Sequence, residues 1–285
     1  MRNGLRTVAL TLVALGALGS VQGQAGQAQA GQTQSSAGWT LDPDGRRSLI
    51  LPDPEGDSEL VVPPVCWQRT CPLVIVSHGR GGQASDGSTH APFDAMLDAL
   101  DVQGFVLLLS SDGGRETWGS PRALNTLRRA YRAALPHFRH DGRVYTLGIS
   151  MGGLPATLTA YRRTLGFPIH AVALVAGRVN LNNAVRTSRS RGRSVAAAFA
   201  GASTQGHDPV NDFSGFAGRR TPLLVVSSPQ DTAVRGSQNG LLLVMLARKV
   251  GAQTRVIGVM GPHLNRQYVN ADVGRQIGAF FRTSR

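Results

Sequence analysis

From residue 72 onward the chain alternates short, nearly unbroken runs of Val, Ile and Leu with longer stretches of helical periodicity, and nothing else in it constrains the fold as strongly. The apolar runs fall at 72–78, 105–111, 144–150, 171–176, 222–228 and 255–260, and the helical patterns at 92–102, 121–135, 151–164, 236–250 and 268–282. A strand that is apolar on both faces must be covered on both faces, which happens when helices sandwich a parallel sheet. Pro92 and Pro121 suit first-turn positions, and Gly104 and Gly251 suit helix exits. The expectation is an α/β fold with a doubly wound, mainly parallel sheet. Segments 49–51 and 60–62 read as leading antiparallel strands at one edge. The one long interruption, 177–220, lies between two central strands. It reads as a small lid insertion over the carboxyl ends of the sheet, with a short helix at 194–200.

The N-terminal segment stands apart from this pattern. Arg2 and Arg6 make a basic start, and 8–18 is an apolar run too short for a comfortable membrane span. This is the layout of a secretory signal over 1–23, with cleavage after Gly23 or after Ala30; an uncleaved anchor is the alternative. A Gln/Ala/Gly-rich leader at 24–38 carries no core-forming pattern and is expected to be disordered. The globular domain then occupies 39–285. Export gives the two cysteines a meaning. Cys66 and Cys71 enclose four residues just before a strong strand, and in an oxidising compartment a disulfide is the natural expectation. Two buried thiols would be the other possibility.

The formal net charge is +13, and Lys249 is the lone lysine among 30 basic residues. Arg186, Arg189, Arg191 and Arg193 form the densest cluster, in a Ser/Arg stretch within the insertion. It is either a solvated loop or a surface for an anionic partner such as a cell-envelope polymer. No aromatic residues interleave for base stacking, so nucleic acid is not expected.

Chemistry concentrates at three places. Ser150 lies at the centre of Gly148-Ile149-Ser150-Met151-Gly152, where a buried-strand pattern meets a helical one. Glycines two residues to either side suit a sharp strand-to-helix turn that projects the hydroxyl at the top of a sheet. A serine hydroxyl needs a base, a group to orient that base, and donors for an oxyanion. His263, in Gly261-Pro262-His263-Leu264-Asn265, is the one histidine beyond the 222–228 strand and the candidate base. Asp231, shortly after the same strand, is the preferred acid, with Asp208 and Asp212 of the insertion as alternatives. The Met151 backbone N–H, at a helix N-terminus, is one candidate oxyanion donor.

The order Ser150, Asp231, His263, each after a different strand, resembles that of the α/β-hydrolase superfamily. His78-Gly79-Arg80-Gly81-Gly82 is similar to that family's His-Gly-X loop. The resemblance spans roughly 72–282 and implies that Arg80 supplies the second oxyanion N–H while His78 braces the loop. It looks nearest to small-lidded secreted esterases and to dienelactone-hydrolase-like or prolyl-oligopeptidase-like enzymes. The chain departs from relatives with a large cap, a β-propeller domain or a His-Gly-Gly-Gly run. The implied activity is hydrolysis of a small-molecule or polymeric carboxylic ester through an acyl-enzyme on Ser150, outside the cytoplasm in the cell envelope or medium. A secreted peptidase or amidase, and a non-catalytic envelope-binding protein on the same fold, are the competing readings. No metal or organic cofactor is expected, since the chain has no H-E-x-x-H, no second cysteine pair and no G-x-G-x-x-G opening a first βα unit.

Overall fold

The computed structural model describes residues 38–84 and 93–284. The signal expected at 1–23, both cleavage positions and the leader up to residue 37 lie outside the described residues. Among the described residues the strands are β1 (Trp39–Leu41), β2 (Arg47–Leu51), β3 (Ser58–Val62), β4 (Cys71–Ser77), β5 (Val106–Ser110), β6 (His140–Ile149), β7 (Ala171–Val175), β8 (Leu223–Ser227) and β9 (Thr254–Gly258). They form one sheet in the order β1-β2-β3-β5-β4-β6-β7-β8-β9. The pairings β1–β2, β2–β3 and β3–β5 are antiparallel, and every pairing from β5 through to β9 is parallel. The mainly parallel sheet with an antiparallel leading edge is therefore the observed architecture. β1 is an addition, since three residues are too few to show a period.

The helices are α1 (Asp94–Asp101), α2 (Pro121–Ala134), α3 (Gly153–Tyr161), α4 (Leu181–Thr187), α5 (Arg189–Phe199), α6 (Gly240–Lys249) and α7 (Ala271–Thr283). Alternate residues of each central strand serve opposite faces. Leu73 and Ile75 of β4 join Leu127 of α2, Leu158 of α3 and Leu243 of α6 in one core. Val74 and Val76 join Leu100 of α1 and Ile277 of α7 in another. Each such side chain, once fully buried, stabilises the fold by about 1.5–3 kcal/mol. Two dry faces explain why the strands read as continuous apolar runs.

The last helix starts later than the periodicity suggests because a capping side chain intervenes. The Asn270 carboxamide oxygen accepts from the Val273 N–H at 3.0 Å, so α7 begins at Ala271 instead of 268. Tyr268 is thereby left outside the helix.

The insertion is more ordered than its composition suggests. Asn180 caps α4 by accepting from the Asn183 N–H at 2.8 Å, and Ser188 caps α5 by accepting from the Arg191 N–H at 3.4 Å. These two caps make a pair of helices where one short helix at 194–200 is expected. Leu181, Ala184, Val195 and Phe199 of the pair pack on Trp118, Met151 and Leu154, which seats the insertion on the turn that carries Ser150. Cys66 and Cys71 are disulfide-bonded, with their Cα atoms 5.8 Å apart, at the entry to β4.

Candidate active site

The turn from β6 into α3 carries Ser150 with φ at 51°, in the left-handed region that non-glycine residues seldom occupy. What holds it there is close approach of backbone on both sides. A Cβ at Gly148 would lie 2.6 Å from the Gly152 carbonyl oxygen, and one at Gly152 would run into the Ser77 carbonyl of β4. The Arg178 N–H donates to the Ser150 carbonyl at 2.7 Å and fixes the turn from the β7 side.

The late loops bring the other two residues to it. Ser150 Oγ lies 2.9 Å from His263 Nε2, and His263 Nδ1 lies 2.8 Å from Asp231 Oδ2. With Nδ1–H donating to the carboxylate, Nε2 is left as an acceptor for the serine hydroxyl. Asp231 Oδ1 accepts from the N–H groups of Ala233 at 3.0 Å and Val234 at 2.8 Å. Tyr268 Oη donates to Asp231 Oδ2 at 3.1 Å and accepts from the Ser228 N–H at 2.9 Å. Burial pushes the Asp231 carboxyl up. The hydrogen bonds from His263 and the Val234 N–H, the His263 charge and the Tyr268 hydroxyl outweigh that and hold it below the usual carboxylate range. The alternative acids are occupied elsewhere. Asp208 accepts from the N–H groups of Asn182, Val210 and Asn211, and Asp212 accepts from the Asp208 N–H, so both organise the insertion.

Met151 and Arg80 reach the same cleft, a space of about 270 Å³ that Ser150 and His263 also line. His78 turns away from it: Nδ1 lies 2.7 Å from the Gly79 carbonyl oxygen and Nε2 3.0 Å from that of Ser111, which ties the loop to the end of β5. Arg80 Nε donates to Glu116 at 2.9 Å, and Ser194 of α5 donates to the other oxygen of the same carboxylate. Trp118 Nε1 donates to Ser194 Oγ at 2.7 Å while its ring lines the cleft.

The four-arginine cluster is split by the fold. Arg186, Arg189 and Arg193 are exposed, whereas Arg191 is half-buried and lines the cleft with Arg178. Sequence reasoning missed Tyr268, Trp118, Arg178 and Glu116 as parts of this site. Tyr268 has a faint signal, a tyrosine five residues past the candidate base. The others come from loops whose positions depend on the tertiary fold.

No protein-family model matches the chain, and a search of curated proteins finds no relative. Among solved structures it is similar to an S-formylglutathione hydrolase from Agrobacterium tumefaciens, with 14% identity and a TM-score of 0.61 over 88% of this chain and 98% of that one. It is similar to an esterase of the bacterial hormone-sensitive lipase family, with 19% identity and a TM-score of 0.61 over 86% of each chain. A Pyrococcus horikoshii acylaminoacyl peptidase matches at 12% identity and a TM-score of 0.63, over 84% of this chain and 42% of that one. With its sheet order and with likeness running along most of its length, this chain has the fold of the α/β-hydrolase superfamily.

Proposed function

We propose that the protein is an exported serine hydrolase that cleaves carboxylic esters through an acyl-enzyme on Ser150. One observation carries the reading: Ser150, His263 and Asp231, drawn from three separate βα junctions, make a continuous hydrogen-bonded line. The esterase and S-formylglutathione hydrolase among the similar structures support the same class of chemistry. The disulfide between Cys66 and Cys71 supports export, since such bonds persist in oxidising compartments.

The reaction runs in two halves. Ser150 Oγ attacks the ester carbonyl carbon while His263 Nε2 takes the hydroxyl proton, and the Met151 and Arg80 N–H groups receive the oxyanion. The carbonyl re-forms as the C–O bond to the alcohol breaks, and that alcohol takes the proton from His263. Water then attacks the acyl carbon with His263 again accepting a proton. Collapse releases the carboxylic acid and returns the proton to Ser150. Asp231 keeps its charge throughout, orienting His263 and stabilising the imidazolium. The exposed Arg186, Arg189 and Arg193 leave the insertion positively charged, which suits an anionic envelope polymer.

A fluorophosphonate probe tests the reading. Labelling of the wild-type protein that disappears in Ser150→Ala is expected, and an unlabelled wild type or persistent labelling in the variant overturns it. Faster turnover of short-chain p-nitrophenyl esters than of peptide anilides is expected; the reverse would make the protein a peptidase.

A further inference from the structure

The cleft beside Ser150 holds two guanidinium groups for which the described residues supply no carboxylate ion pair. Three arginines line it, and Arg80 is paired with Glu116. Arg178 is only 4% exposed, and it donates to neutral acceptors: the Ala233 carbonyl at 2.6 Å and the Asn183 carboxamide oxygen at 3.5 Å. Arg191, on the lid helix α5, donates to Thr187 Oγ1 at 2.8 Å and to the Ala184 carbonyl at 3.4 Å, again neutral acceptors. Asp231 is the acidic group whose charge reaches Arg178, but its two oxygens already accept from Ala233, Val234, His263 and Tyr268. Burial first, and then the neighbouring Arg191 charge, bring the Arg178 guanidinium down to about 10.

A cation taken out of water without a counter-ion is costly, and a second cation nearby raises that cost. An oxyanion entering the cleft would relieve both, through charge-assisted hydrogen bonds from planar donors that match its geometry. Trp118 and Leu264 supply apolar wall beside them. We propose that Arg178 and Arg191 form an anion subsite, so that the preferred substrate is an ester bearing a carboxylate or phosphate group near the scissile bond. This rests on Ser150 being the nucleophile. It makes Arg191, contributed by the lid, a specificity-determining residue.

Matched substrate pairs test it. One arm compares monomethyl with dimethyl esters of succinic, glutaric and adipic acids. The other compares acetylglycerol with and without a 3-phosphate. In at least one pair the charged member should be favoured roughly tenfold or more in kcat/KM at low salt, chiefly through KM. Arg191→Gln should remove that preference. The arm that responds identifies the anion as carboxylate or phosphate. Equal rates within every pair, or a preference that survives Arg191→Gln, would overturn the subsite. Calorimetric binding of monomethyl adipate and of glycerol 3-phosphate to the Ser150→Ala protein separates this from the hydrolase reading. Binding of either that weakens with added salt and with Arg191→Gln supports the subsite even if Ser150 proves unreactive towards the probe. Absence of binding of both counts against the subsite even if Ser150 is labelled.

Discussion

Tyr268 and His263 share one oxygen of Asp231: the phenol and the imidazole both donate to Oδ2, at 3.1 and 2.8 Å. The phenol also accepts from the Ser228 N–H, so one side chain ties the acid to the strand end that precedes it. Tyr268→Phe removes a donor to the carboxylate and leaves the Ser228 N–H without that acceptor. The expected result is a loss of about 1 kcal/mol of stability, read by denaturant unfolding. A fall in kcat of roughly fivefold to tenfold should accompany it, with KM nearly constant, because the defect lies in orienting His263. A KM effect alone would place Tyr268 outside the catalytic alignment.

Asp231→Asn tests the acid itself. An asparagine oxygen can still accept from the Ala233 and Val234 N–H groups, so the loop should keep its shape. Its NH2 would then face His263 Nδ1 and favour the wrong tautomer. Turnover should fall by about 10⁴-fold with little change in melting temperature, measured by ester hydrolysis and circular dichroism. Because the folded pKa of Asp231 lies below its ordinary 3.8, its stabilising contribution is present above that value and lost as pH falls through the folded one. The variant should therefore lose less stability on acidification than the wild type.

Asp101 gives the opposite sign. It ends α1, where the helix dipole disfavours negative charge, and one of its buried oxygens has no hydrogen-bond partner. Burial pushes it up to about 7; Arg46 pulls against that, and Asp98, Asp42 and Asp44 add to it. A raised carboxyl contributes stability that is present below its unfolded value and lost as pH rises through the folded one. Asp101→Asn should gain on the wild type from about pH 4 to about pH 7, reaching roughly 1–3 kcal/mol in a thermal melt series, and hold that gain above it. A gap that stays constant across that range would refute the assignment.

The disulfide closes a very short loop. Chain-entropy arguments give about 2 kcal/mol for it, so reduction, or the Cys66→Ala/Cys71→Ala pair, should lower the melting temperature by a few degrees and leave turnover intact.

The central sheet was legible because β4, β5, β7, β8 and residues 144–149 of β6 are short, apolar and almost wholly buried, which leaves no second reading of their pattern. Ser150, Asp231 and His263 were legible for a related reason: each lies just past a strand that could be found on its own. Arg178 and Trp118 were not. Their side chains matter because β7 and the loop after β5 end over one cleft, and no local spacing encodes that meeting. The insertion was misjudged in that one short helix at 194–200 was expected, whereas α4 and the first turn of α5 lie in a stretch whose polar, Ser/Arg-rich composition hid them. Asn180 and Ser188 start them, and apolar residues as far apart as Leu181 and Phe199 hold them down. The edge strand β1 was too short to leave a trace.

Glu116 joins two parts of the molecule that would otherwise answer to different forces. One of its oxygens is held by Arg80, on the loop proposed to receive the oxyanion, and the other by Ser194, on a lid helix. Lifting that helix must break the Ser194 contact, remove the partner of Trp118 Nε1 and carry Arg191 out of the cleft. On the proposed reading, access and charge stabilisation would then be a single mechanical coordinate. A substrate that wedged the insertion open would, on that reading, also slacken the proposed donors, so bulk at the cleft mouth should be felt in the rate of the chemical step as well as in binding.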